Sequence, residues 1–168
     1  MNILKSISTI FIFSLILTSC NQAAKTETTI PTDVAAEKEA VKTVLKSYKD
    51  AIQNLNAEAT LKLFTQDSQV FESGGSEGSY TNYLAHHLGP ELDHFNSFIF
   101  SDYKVSVLVD LPYAFTTETY IYTIDLKANE EKGRAAQLIN KKGVATSVLR
   151  KTDGVWQIMK THSSSRNK

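Results

Sequence analysis

A single cysteine, Cys20, is the only thiol in the 168 residues, and it stands ahead of the first segment with any helical or strand period. A single cysteine can form no intrachain disulfide to staple the fold. The fold must therefore rest on a hydrophobic core. The chain beyond Cys20 is long enough to build one in a single domain. Lys+Arg and Asp+Glu balance at 18 each, and no long block of one sign occurs. Nothing in that distribution suggests nucleic acid or a polybasic membrane contact.

The residues before Cys20 carry their own message. Lys5 supplies a short basic start, and Ile7 to Leu17 is an apolar stretch of secretory length. A membrane span needs about 20 apolar residues, so this run is too short to cross. It ends in Leu17-Thr18-Ser19-Cys20, and an h-region closing on a small residue and cysteine resembles the bacterial lipoprotein signal. The resemblance implies that residues 1–19 are a signal peptide removed at export and that Cys20 is the lipidation site. The membrane would then be a partner, with the protein in the bacterial cell envelope. Asn21 stands where an aspartate would resemble the inner-membrane retention signal, so the outer membrane, facing the periplasm, is the expected address. Several acyl chains anchor stably where one chain is marginal. Residues 20–33 read as the lipidated cysteine and a tether, being rich in Thr, Ala and Gln, with Pro31 and no apolar period. A flexible tether of this length reaches about 20 Å.

The domain is expected over residues 34–168. Thr32 or Asp33 caps a first helix whose apolar positions Val41, Val44, Leu45, Tyr48 and Ile52 form one stripe. Asn56 caps a short second helix carrying Leu61, Leu63 and Phe64. A strand from Gln69 to Ser73 leads into Gly74-Gly75-Ser76-Glu77-Gly78, which lacks the lysine of a phosphate-binding loop and reads as a turn. Ser79 caps a third helix from Tyr80 to about Leu88, which Gly89-Pro90 is expected to interrupt before a further turn to Phe95. Everything after Phe98 looks extended. Ile99, Tyr103, Val105, Val107 and Val109 are expected on one strand face, Leu111-Pro112 in a turn, and Tyr113 to Leu126 in a second strand. Ala128 to Lys142 is ambiguous. Gly143 to Lys151 and Val155 to Ser164 form the last hairpin, joined at Thr152-Asp153-Gly154. Helices first and long strands after predict an α+β fold, with the helices on one face of a curved antiparallel sheet.

The closing strand carries a second resemblance. Gly154, Trp156 two places on, His162 six further and Ser164 beyond it resemble the last strand of SnoaL-like proteins of the nuclear transport factor 2-like superfamily. The helix-helix-strand-helix-sheet order from Asp33 to Arg166 agrees. The resemblance implies a strongly curved sheet wrapped into a cone with an internal pocket, and often a homodimer formed through the outer sheet face. It identifies a superfamily that holds both enzymes and non-enzymes, so it assigns no activity.

The candidate chemistry follows from these placements. His162 shares strand parity with Trp156 and Ile158, so it is expected to face inward, as a ligand donor, a general base or a metal ligand. Glu72 and Glu118 are the other candidate catalytic groups, since acid-base work needs a carboxylate or imidazole in the pocket. His87, Tyr83 and Trp156 join His162 as expected ligand-binding residues. On a continuous helix His87, Glu91 and His94 would share one face and could meet His162 at a divalent transition metal. The expected break at Gly89-Pro90 leaves only Glu91 and His94 in register, and the His-Glu-x-x-His zinc pattern is absent. The sequence demands no cofactor. Three functions stay open: a lipid-anchored module binding a small, partly apolar molecule in the cone, an acid-base lyase or isomerase, and a periplasmic metal-binding protein.

Overall fold

The computed structural model describes residues 33–168; the expected signal peptide, the lipidation at Cys20 and the tether from 20 to 32 lie outside them. The first helix, α1 (Val34–Gln53), is capped by Asp33, whose Oδ1 accepts from the Ala35 and Ala36 amides at 3.0 and 3.1 Å. Those two bonds satisfy donors that an uncapped helix would leave open. The expected stripe is buried, with Val41 and Leu45 at 0% and 1% exposure. Lys49 lies in the same buried face.

Asn56 caps a 3-10 turn (Glu58–Leu63) through the Ala59 amide. Phe64, expected to end that helix, instead begins strand β1 (Phe64–Glu72). The glycine-rich segment makes a hairpin: Ser73 and Gly74 turn with positive φ, and β2 (Gly75–Gly78) pairs back on β1. Ser79 caps α2 (Tyr80–Tyr83) by accepting from the Asn82 amide.

The expected break at Gly89-Pro90 does not occur. A π-helical turn (Leu84–Leu88) runs directly into α3 (Gly89–Leu92), and the Gly89 amide bonds back to the Leu84 carbonyl. The wider turn inserts a residue, relieving the clash a proline ring makes inside an ordinary helix. It also requires glycine there: a Cβ on Gly89 would sit 2.7 Å from the Leu84 carbonyl oxygen.

The remaining strands are β3 (Phe95–Asp110), β4 (Tyr113–Leu126), β5 (Gln137–Thr152) and β6 (Val155–Asn167). Together the six form one sheet in the order β2-β1-β6-β5-β4-β3. Every ladder is antiparallel, as expected, except that β1 and β6 run parallel. The α+β architecture is therefore the predicted one with a mixed sheet. β5 starts at Gln137 rather than Gly143, so the end of the ambiguous segment, from Gln137 to Lys142, is strand. The core lies between α1 and the inner sheet face, where Ala114, Leu149, Trp156 and Ile158 meet Val41 and Leu45.

Two bulges decide which side chains see that core. In β6, Leu149 pairs with Ile158 but Val148 pairs with Lys160, which leaves Met159 unpaired. Each added residue turns the following side chains to the opposite face. Beyond Met159 the inward row is therefore Thr161, Ser163 and Ser165, cross-strand from Ser147, Ala145 and Gly143. β3 has its own irregularity between Ser101 and Lys104, with Asp102 at φ 51°. Ile99 consequently faces out at 53% exposure, while Val105, Val107 and Val109 pack on the core.

Candidate functional site

Between α1 and the sheet lies a cavity of about 160 Å³. A void of this size holds about one benzene-sized ring. Leu45, Tyr48, Lys49 and Ile52 line it from α1, while Phe98, Phe100, Tyr120 and Tyr122 form the opposite wall. Their apolar character comes from strand alternation, which directs even positions of β4 inward. Gly143 makes room for this wall, because a Cβ there would run into the Tyr120 ring.

Charge is confined to two clusters on the cavity wall. The inner one joins Lys49 of α1 to Glu118 of β4, both over nine-tenths buried and in direct hydrogen-bonded contact. Tyr103 donates to the same Glu118 oxygen, Oε2, at 2.6 Å. The Lys49 ammonium also lies 4.5 Å from the Tyr103 ring centre and 5.6 Å from those of Phe100 and Tyr120, a favourable position for a cation. Burial lowers the Lys49 pKa from the ordinary lysine value, and Glu118 opposes that shift. Burial raises the Tyr103 pKa, and its hydrogen bond to Glu118 adds to the rise. Lys49 and Glu118 thus form a buried, directly bonded pair on the cavity wall.

The second cluster sits at the rim. Tyr83 donates to Glu72 at 2.9 Å. The His87 ring faces three carboxylates: Glu77 at 3.3 Å through Nδ1, with Glu91 at 3.4 Å and Glu72 at 3.7 Å from Nε2. Burial pushes the imidazole toward its neutral form, but the hydrogen bond to Glu77 and the fields of Glu91 and Glu72 outweigh it, so the His87 pKa is raised. Glu91 is raised too, first by burial, with His87 opposing and Glu72 adding to the rise. Burial raises Tyr83, as does the neighbouring Glu72 carboxylate. A half-exposed imidazole among carboxylates can take up, hold and pass on a proton near neutral pH.

The expected site residues divide accordingly. Glu72, Glu118, Glu91 and Tyr83 line the cavity, and His87 touches two of them from the rim. Trp156 is buried as expected but does not line the cavity. Its indole N–H donates to Glu37 at 2.8 Å beside the Lys151–Glu37 pair. His162 is exposed and outward, opposite Thr146, because the bulge at Met159 inverts the parity carried forward from Trp156. His94 is exposed beyond the end of α3. The four expected metal ligands thus reduce to the contact of His87 with Glu91, and no metal-holding group of three is found among the described residues.

Lys49 and Tyr103 were not singled out in the sequence. The signal for Lys49 was there: it lies four residues after Leu45 and eight after Val41, inside the apolar stripe. For Tyr103 the signal is strand alternation, which puts it on one face with Val105, Val107 and Val109, and its hydroxyl reaches Glu118.

Comparisons with known proteins agree with this architecture. The fold is similar to a nuclear transport factor 2-like superfamily protein from Salmonella enterica serovar Typhimurium LT2, with TM-score 0.68 and 16% identity over 80% of this chain and 94% of that one. It is similar to a conserved protein from Planctomyces limnophilus, with TM-score 0.66 and 18% identity over 80% and 99%. A hexachlorocyclohexane dehydrochlorinase is also similar, with TM-score 0.62 and 14% identity over 79% and 86%. No curated protein sequence matches the chain. Residues 41–167, spanning the cavity and both charged clusters, match the SnoaL-like domain family, and the chain belongs to that family.

Proposed function

We propose that this protein is a lipid-anchored domain of the bacterial cell envelope that holds a small, partly apolar molecule in its cavity. The observation that carries the reading is the cavity itself: about 160 Å³ walled by aromatic and aliphatic side chains, with charge confined to two clusters. Small-molecule sites have this character, an apolar body with a few placed polar groups. The anchor rests on the run from Lys5 to Cys20, and Asn21 favours the outer membrane. Cys20→Ala should leave an unprocessed, unacylated chain. Fatty-acid labelling that persists in that variant defeats the anchor, since no other cysteine can carry the lipid.

The binding reading is tested by native mass spectrometry of protein purified without chelator, comparing wild type with Ala145→Phe, which fills the cavity. A small organic adduct on the wild type and its loss in the variant is the expected result. An adduct equally present in both proteins, or none in either, overturns the reading.

One observation favours a second reading, an acid-base lyase or isomerase. Glu72 lines the cavity and is shared by Tyr83 and His87, giving a proton-handling group next to the bound molecule. The similar dehydrochlorinase suits it. Turnover that disappears in Glu72→Gln while the adduct is retained would favour the enzyme. A homodimer is part of the proposal as well. Leu108 and Phe115, exposed at 64% and 45%, are direct cross-strand partners on the outer face of the sheet. Light scattering should give the mass of a dimer for the wild type and of a monomer for Phe115→Lys.

A further inference from the structure

A second concavity, a groove of about 690 Å³, lies where β3 bulges beside β4, β5 and β6. Three cations line it: Lys104, Lys142 and Arg166. Lys142 and Arg166 are direct cross-strand partners, so both project from one face of the sheet. Like charges placed opposite each other in this way destabilise a sheet. No carboxylate lies within ion-pair distance of any of the three among the described residues, although Lys42, Lys46, Lys49, Arg150 and Lys151 each meet one. Asp102 is the single acidic residue on the groove wall. Thr119 and Ser164 add hydroxyls in the row between Lys104 and β6.

We propose that this groove binds the anionic group, a carboxylate or phosphate, of a small organic molecule. An anion between Lys142 and Arg166 turns their repulsion into two charge-assisted hydrogen bonds, and the guanidinium fork suits both oxyanions. The groove and the cavity share Tyr120, Ser164 and Ser165 in their walls. Lys142 and Arg166 leave the sheet on its outer face, next to the inward Gly143 and Ser165, so the anion site is separate from the cavity behind the sheet.

Titration calorimetry with inorganic phosphate, at ionic strength matched with sodium chloride, tests the site. Phosphate is expected to bind. Lys142→Gln combined with Arg166→Gln should weaken that binding by about tenfold or more, as loss of hydrogen bonds to a charged group implies. Both positions are exposed, and removing the repulsion should leave the unliganded melting temperature unchanged or raised. Ala145→Phe, which fills the cavity behind the sheet, should leave phosphate binding intact. Phosphate binding no stronger than in the chloride control, or indifferent to the double variant, overturns the anion site. Phosphate binding that Ala145→Phe abolishes would place the anion in the cavity and overturn the groove site.

Discussion

The inner and rim clusters face one cavity, yet they are built on opposite principles. Lys49 and Glu118 pair one cation with one carboxylate, seal both from water and add the Tyr103 hydroxyl. At the rim a single imidazole faces Glu72, Glu77 and Glu91, with His87 still 30% exposed at the side chain. Burial makes the first pair costly to break and inert while whole. Exposure and surplus negative charge make the second easy to perturb and responsive to pH. One cluster ties α1 to the sheet, and the other stands where a change of pH can reach it.

Breaking the inner pair should give the largest effect. Lys49→Met leaves Glu118 buried without its cation, a loss of about 3–5 kcal/mol. Removing the whole set with Lys49→Met, Glu118→Leu and Tyr103→Phe should restore most of the stability, read from urea denaturation. A single variant as stable as wild type would show that water reaches Glu118 and would erase the contrast between the clusters.

Gly143→Ala comes next. Its new Cβ runs into the Tyr120 ring, and a forced shift of this kind in a packed wall costs about 1–3 kcal/mol. Ligand capacity should fall with stability, because Tyr120 forms part of the cavity wall. Unchanged capacity would mean that the ring moves away from the cavity.

At the rim, Glu72→Gln should cost less than about 1 kcal/mol, since glutamine still accepts from Tyr83 and the site is partly wet. A loss as large as that of Lys49→Met would make Glu72 a structural residue like Glu118.

The smallest effect is a slope. The His87 pKa is raised above 6.5, so the native state binds this proton more tightly than the unfolded chain does. Its contribution is full below about pH 6.5 and is lost as pH rises through the folded value. Against His87→Gln, the wild type should therefore lose relative stability on going from pH 6 to pH 8. A difference independent of pH would show that the ring is not coupled to the carboxylates.

Much of the fold was readable because it depends on local periods. The α1 stripe, the Asp33 cap, the Asp153-Gly154 turn and the inward Trp156 follow from residue spacing and turn chemistry alone. The site was readable only in part. Glu72, Tyr83, His87, Glu91 and Glu118 come together as candidates. His162 fails because strand parity holds only until an extra residue intervenes. His94 fails for a different reason, standing exposed beyond the end of α3.

The sequence by itself determined the order of elements, the helix caps, a core without disulfides and the family's closing strand. Each is set within a few residues, where propensity and alternation act. Tertiary structure alone decided the bulges at Met159 and at Ser101 to Lys104, the parallel pairing of β1 with β6, and the burial of Lys49 against Glu118. The pairing and the burial join segments 69 residues apart or more, and the bulges fit neighbouring strands to one curved surface. Where a strand must bend around the cavity, an extra residue settles which side chains enter it, and no local pattern records that choice.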